Sequence, residues 1–289
     1  MIEGNDSALH LLELKCRRPV EHLLSGEYRS VFKGKGIEFE DVRPYQPGDD
    51  VRTMDWRVTA KTGTPHIKRF IEEREQHFYL LVDISASMLC DATGKKRDTL
   101  AQLGSLLTLT AAKNNDRVGL TLYSDEVELM IRPSKGRQHA LRIIDTLMNV
   151  EPKGTGSNLA EAIANLGHVV GKRSVIFILS DFFCEGYQDE LQALAHKHDL
   201  IAVNLIDPQE VTPPNCGLVR ISDSETGAQA TVDLSQVKEN HRQRLEKIRN
   251  EMMESGVDLM EVMHGEDCVK ALISFFNSRQ RRVADETGG

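Results

Sequence analysis

From residue 77 onward the sequence predicts an α/β fold: a doubly wound, mostly parallel sheet with helices on both faces. Three observations carry this. Residues 78–82 are an unbroken apolar run, as expected of a strand covered on both sides, and 174–179 reads as a further strand. Stripes at helical period lie between such runs: Leu100, Leu103, Leu107 and Ala111, then Leu159, Ala162, Ile163 and Leu166. The two patterns alternate, and strand–helix–strand alternation builds parallel sheets.

Taken in order, Leu9, Leu12 and Cys16 stand at helical spacing and predict one short N-terminal helix. Alternating segments at 28–32, 37–42 and 67–71 predict short strands. The turn Lys33-Gly34-Lys35-Gly36 joins the first two as a hairpin, because glycine accepts positive φ. Further strands are expected at 118–123, 127–131, 200–206 and 257–262. Helices are expected around Leu141, Ile144 and Leu147, around Leu191 and Leu194, over 237–252 before Gly256, and at 268–276. Arg279, Arg281 and Arg282 then complement the last helix dipole. The expected organisation is a short helix plus β-rich segment over 1–76, packed on an α/β domain over 77–284. A small hairpin is inserted near 217–234, and 285–289 form a frayed tail.

The 289 residues are 40% apolar and 28% charged, which argues for a globular chain. Thirty-six Lys and Arg against 44 Asp and Glu leave a net charge of −8, with 5% aromatics. That balance disfavours nucleic acid and anionic membranes as partners. Five scattered cysteines without a C-x-x-C pair speak against a zinc or thioredoxin-like site and fit reduced thiols. No signal-peptide pattern opens the sequence, and no apolar run nears the roughly 18–20 residues of a membrane span. A cytoplasmic protein without membrane insertion is expected.

Ligands of doubly wound sheets bind where strands end at their carboxyl side. The strand at 78–82 runs into Asp83-Ile84-Ser85-Ala86-Ser87, a carboxylate followed by two hydroxyls. The strand ending at Leu179 runs into Ser180-Asp181. Between them Gly154-Thr155-Gly156-Ser157-Asn158 opens a helix. Carboxylates with hydroxyls, and no His or Cys, make a hard-oxygen set suited to Mg²⁺, with Mn²⁺ or Ca²⁺ as alternatives.

This set resembles the metal-ion-dependent adhesion site of von Willebrand factor A domains, a Rossmann-type fold. Asp83, Ser85 and Ser87 match the Asp-x-Ser-x-Ser motif without a gap, and Asp181 matches the later carboxylate loop. Ser157 aligns with the family's middle Thr, with Thr155 as its rival, and Asn158 aligns with the following Asp. Gly34-x-Gly36-Ile37-Glu38-Phe39, Arg43-x-Tyr45-x-Pro47-Gly48-Asp49-Asp50 and Asp55-Trp56-Arg57 add a narrower resemblance, to the bacterial domain-of-unknown-function 58 family. That family pairs such a segment with a von Willebrand A-like domain and is commonly encoded beside MoxR-type AAA+ ATPases. The resemblance implies Asp83, Ser85, Ser87 and Ser157 around a metal, with Asp181 holding a bound water. A partner's Glu or Asp fills the open position, so the chain is expected to act as a non-enzymatic adaptor of an AAA+ ATPase and its client in complex assembly or maturation.

Other readings are plainer. Asp83-x-Ser-x-Ser alone also suits a strand-end turn. Arg43, Asp49, Asp50, Arg52, Asp55 and Arg57 read as an ion-pair network fixing an irregular loop, with Trp56 as a core plug. His196 and His198 read as solvated; Tyr123, Phe182 and Phe183 as rim or packing residues. Gly94-Lys95-Lys96 is no Walker A loop, and no Gly-x-Ser-x-Gly elbow exists. The enzyme-class alternative is a Mg-dependent phosphatase-like hydrolase using Asp83 as nucleophile. It lacks the second acid two residues on, where Ser85 stands.

Overall fold

The computed structural model describes residues 37–72, 76–89, 95–212, 217–222 and 229–287. The expected helix at 9–16, the strand at 28–32 and the turn at 33–36 lie outside these residues. The described chain forms two compact units, one within residues 32–76 and one from residue 77 onward.

In the smaller unit β1 (Ile37–Pro44) pairs antiparallel with β2 (His66–Glu72), with an irregularity between Phe39 and Asp41. A 3-10 turn (Val51–Thr53) and the helix α1 (Trp56–Thr62) connect them. Arg43, Asp49, Asp50, Arg52 and Asp55 pair with one another or with the backbone, whereas Arg57 contributes its amide. Arg43 forks onto Asp49 at 2.8 and 2.9 Å. Asp50 caps the 3-10 turn through Arg52 N, and Asp55 caps α1 by accepting from Arg57 N and Val58 N. Trp56 is 70% exposed rather than a core plug. A two-stranded sheet with a seven-residue helix has too little interior to enclose an indole.

The larger unit is a six-stranded sheet in the order β10-β7-β6-β3-β4-β5. Its strands are β3 (His77–Asp83), β4 (Arg117–Tyr123), β5 (Val127–Ser134), β6 (Val175–Ser180), β7 (Asp199–Ile206) and β10 (Asp258–Met263). All pairs are parallel except β4 with β5. Between them run α2 (Ala86–Leu89), α3 (Lys95–Lys113), α4 (Arg137–Asn149), α5 (Leu159–Val169), α6 (Gln188–Ala195), α7 (Pro208–Val211) and α8 (Leu234–Glu254), and α9 (Cys268–Thr287) follows β10. β8 (Leu218–Ser222) and β9 (Gln229–Asp233) pair antiparallel as a separate hairpin.

Alternation along the strands decides which residues meet which helices. Tyr79, Leu81, Ile176, Ile178, Leu200 and Ala202 join Leu159, Ile163 and Leu166 of α5, Leu191 and Leu194 of α6, and Ile248 and Met252 of α8 in one core. Phe78, Leu80, Val82 and Phe177 face the other way, and α3, α4 and α9 bring further buried residues, among them Leu103, Ile143 and Leu272. The phenyl rings of Phe78 and Phe177 stack there at 6.4 Å. α8 closes with Gly256 at φ 67°: Val257 N reaches Met252 O and Gly256 N reaches Met253 O, a Schellman end.

α9 runs to Thr287, past the expected end at 276. The reason is side-chain pairing along its flank. Arg279 contacts Asp199 and meets Asp258 at 3.0 Å, and Arg282 meets Asp258 at 2.8 Å. These two arginines bind the starts of β7 and β10 rather than only complementing a helix end. Among the described residues no helix is long and apolar enough to cross a membrane.

Candidate functional site

β3 is flanked by β4 on one side and β6 on the other, and the chain reaches β6 only after the β4–β5 excursion. Its carboxyl end is therefore a topological switch point, the place where open α/β sheets bind ligands. Asp83 closes β3 and is fully buried. Its Oδ1 accepts from Ser85 N at 2.9 Å. Its Oδ2 accepts from three hydroxyls: Ser157 and Ser180 at 2.8 Å and Tyr123 at 3.2 Å. Burial, then the charge of Asp181, pushes the Asp83 carboxyl above its ordinary range, against the hydrogen bonds from Ser85 and Ser180. Ser85 Oγ and Ser87 Oγ lie 3.1 Å apart.

Asp181 follows β6 and is 3% exposed. Its Oδ1 accepts from Phe183 N at 3.1 Å and its Oδ2 from Lys96 Nζ at 2.6 Å. The turn is held by Ser180, which gives its hydroxyl hydrogen to Asp83 and accepts from Phe182 N. Phe182 sits at φ 54°, a left-handed conformation unfavourable for an aromatic residue, and is locked by burial and by Tyr187 at 6.0 Å between ring centroids. The main-chain oxygen of Asp181 accepts from Arg244 Nη2 at 2.6 Å, and the same guanidinium covers the Phe183 ring. Burial lowers Arg244 to about 10.

The glycine-rich loop owes its shape to two carboxylates, Asp125 of the β4–β5 turn and Glu128 at the start of β5. Glu128 accepts from Lys153 N at 3.0 Å and Gly154 N at 3.2 Å. Asp125 accepts from Thr155 N at 3.0 Å and Gly156 N at 3.2 Å. A Cβ on Gly154 or Gly156 would collide with Asp125, which explains the two glycines. These backbone donors are already committed to the chain's own carboxylates, so the loop is no phosphate cradle. Burial raises Glu128, but bonds from Ser124, Lys153 N and Gly154 N outweigh this and hold its carboxyl below the usual range. Asn158 caps α5, accepting from Glu161 N.

Asp83, Ser85, Ser87, Ser157 and Asp181 thus gather at the ends of β3 and β6 and the start of α5. Ser157, rather than Thr155, contacts Asp83; Thr155 is exposed and contributes its backbone, accepting from Ala86 N at 3.0 Å. Tyr123 and Phe182 are buried, and Phe183 is the exposed rim residue. His196 is exposed, but His198 is buried against expectation, because it stands where the chain turns into β7; burial pushes its imidazole down. Sequence reasoning missed Lys96, Asp125 and Glu128. Lys96 had a signal, since 96, 100, 103 and 107 share one helical stripe.

Among the described residues no three His, Cys, Asp or Glu side chains gather as a metal-holding set. The donors around Asp83 are hydroxyls, and hydroxyl and carboxylate oxygens together suit a small hard cation. Cys184 lies beside the cluster, but burial and the charges of Asp83 and Asp181 push its thiol up to about 12, so it offers no thiolate.

The family model described as a protein of unknown function, DUF58, matches residues 41–254. An uncharacterized protein of Mycobacterium tuberculosis is 34% identical over 225 residues, covering 76% of this chain and 71% of its own. One from Mycobacterium avium is 29% identical over 153 residues, covering 50% and 88%. Among solved structures, the conserved hypothetical protein BatB from Bacteroides thetaiotaomicron aligns with a TM-score of 0.47 at 15% identity, over 71% of this chain and 99% of that one. An aerotolerance-related membrane protein from Bacteroides fragilis aligns with a TM-score of 0.49 at 15% identity, over 72% and 99%. The span of the family match and the mycobacterial relative lead to one conclusion: this chain belongs to the DUF58 family.

Proposed function

We propose that this chain is a non-enzymatic, metal-dependent protein-interaction module with a von Willebrand factor A-like domain. In this reading it works with a MoxR-type AAA+ ATPase and a client in protein-complex assembly or maturation. The observation that carries the reading is buried Asp83 at the switch point, bonded by the Ser157 hydroxyl and the Ser85 amide, with the Ser85 and Ser87 hydroxyls 3.1 Å apart and the charge of Asp181 acting on it. The donor chemistry fits Mg²⁺, with Mn²⁺ or Ca²⁺ as alternatives. Asp83, Ser85, Ser87 and Ser157 would hold the ion, and Asp181 would act through a water. Bound there, the ion would supply an electrophilic open position for a partner's Glu or Asp. Hydroxyl ligands leave much of its charge uncompensated, so the missing anion is expected from outside the chain.

The test is capture of the AAA+ ATPase from native lysate, with Mg²⁺ or with chelator, by wild type and by Ser87→Ala. Capture is expected only with metal and wild-type protein, while both proteins melt alike without metal. Equal capture in chelator would sink the reading. Turnover of a generic phosphate ester that vanishes in Asp83→Asn would replace it with a hydrolase.

A further inference from the structure

Lys96, the second residue of α3, is 5% exposed. Its ammonium donates to Asp181 Oδ2 at 2.6 Å and to the main-chain oxygen of Ser87 at 2.9 Å. It therefore joins the carboxylate after β6 to the backbone of the Asp-x-Ser-x-Ser turn. From a helix start a lysine can usually extend its charge into water. Here the charge is withdrawn from water and held by Asp181 and the Ser87 main-chain oxygen, so its field acts on the cluster with little screening.

Resting on the metal reading above, we propose that Lys96 is a tethered cation that makes metal capture depend on an incoming carboxylate. Lys96 sets a positive charge 2.6 Å from Asp181 Oδ2, and Arg244 stands on the main-chain oxygen of the same residue. Buried beside the aspartates, the ammonium repels a divalent ion and attracts an incoming carboxylate. Without the ammonium, the ion would bind the aspartates more tightly by itself, and a further carboxylate would be drawn less strongly. Lysine thus weakens the ion-only state and favours the ternary one. By linkage the coupling is reciprocal: the carboxylate tightens the metal as much as the metal tightens the carboxylate. Shielding from water keeps the effect of one charge large, at least about tenfold in affinity.

The experiment titrates the full chain with Mn²⁺, following free ion by electron paramagnetic resonance, in excess acetate or in chloride of matched ionic strength. Wild type is expected to bind Mn²⁺ about tenfold more tightly in acetate than in chloride. Lys96→Met should bind it about tenfold more tightly than wild type in chloride, with the acetate effect nearly gone. Asp181→Asn should bind Mn²⁺ more weakly, and adding Lys96→Met to it should recover near wild-type affinity. Loss of a ligand at Asp181 alone predicts no such recovery. This pair of variants also serves if Lys96→Met by itself does not fold. Unchanged Mn²⁺ affinity and acetate effect on removing the lysine, in either background, would overturn this inference alone. No Mn²⁺ binding by any variant, with or without acetate, would overturn the metal reading and this inference together.

Discussion

Asp83 shows why a polar cluster can sit in the middle of an apolar sheet. Each oxygen is satisfied, yet burial and Asp181 still disfavour its charge. Asp83→Asn removes a charge held out of water beside another carboxylate, and neighbouring hydroxyls can rotate to accept from the new amide. Near neutral pH and without metal, this variant is expected to melt at or above wild type. Its stabilisation by Mg²⁺, which follows mass action on the folded state, should disappear. A thermal melt with and without Mg²⁺ checks both halves; a large loss in chelator would mean that the carboxylate itself holds the turn. Asp83, Ser85, Ser87 and Asp181 were legible because polar residues broke apolar strand runs at ligand-bearing ends. Lys96 stands on a readable stripe too, but a lysine there reads as a side chain that reaches back to water.

The loop at 153–157 and the β4–β5 turn form one device. The sequence showed its glycines but not the carboxylates that shape it, which lie 25 to 31 residues away. Gly156→Ala should destabilise by about 1–3 kcal/mol, since its Cβ meets Asp125. The loss should shrink in an Asp125→Ala background, a non-additivity that denaturant unfolding can read. Glu128 adds a pH signature. Its folded-state pKa lies below the ordinary 4.5, so its contribution is complete above 4.5 and is lost as pH falls through the folded value. Glu128→Gln should cost about 1 kcal/mol near neutral pH, less where solvent screens it, and the difference from wild type should close in acid. A gap that persists unchanged in acid would assign the effect to shape. Helix periods were readable wherever one face is apolar, as at Leu159, Ala162, Ile163 and Leu166. The length of α9 was not, because its last turns are fixed by Asp199 and Asp258, far off in sequence.

Across the chain, the alternation of strands and helices announced the larger unit, whereas the smaller one followed local charge rather than a core. Trp56 is the chain's only tryptophan and is exposed in its unit, so Trp56→Ala should change unfolding free energy by less than about 0.5 kcal/mol. The hydroxyls on Asp83 have a consequence in time. Ser157 and Ser180 stand 74 and 97 residues beyond it, and no shorter stretch of chain brings them together. Asp83, Ser85 and Ser87 are neighbours in the chain, but they are only part of the proposed set early in folding, when Ser157 and Asp181 have yet to reach them across the elements between β3 and β6. On the proposed reading, Mg²⁺ should leave the refolding rate nearly unchanged and slow unfolding, so that in a chevron only the unfolding arm moves. A refolding arm that accelerates with Mg²⁺ would mean that the ion finds its ligands before the sheet is built.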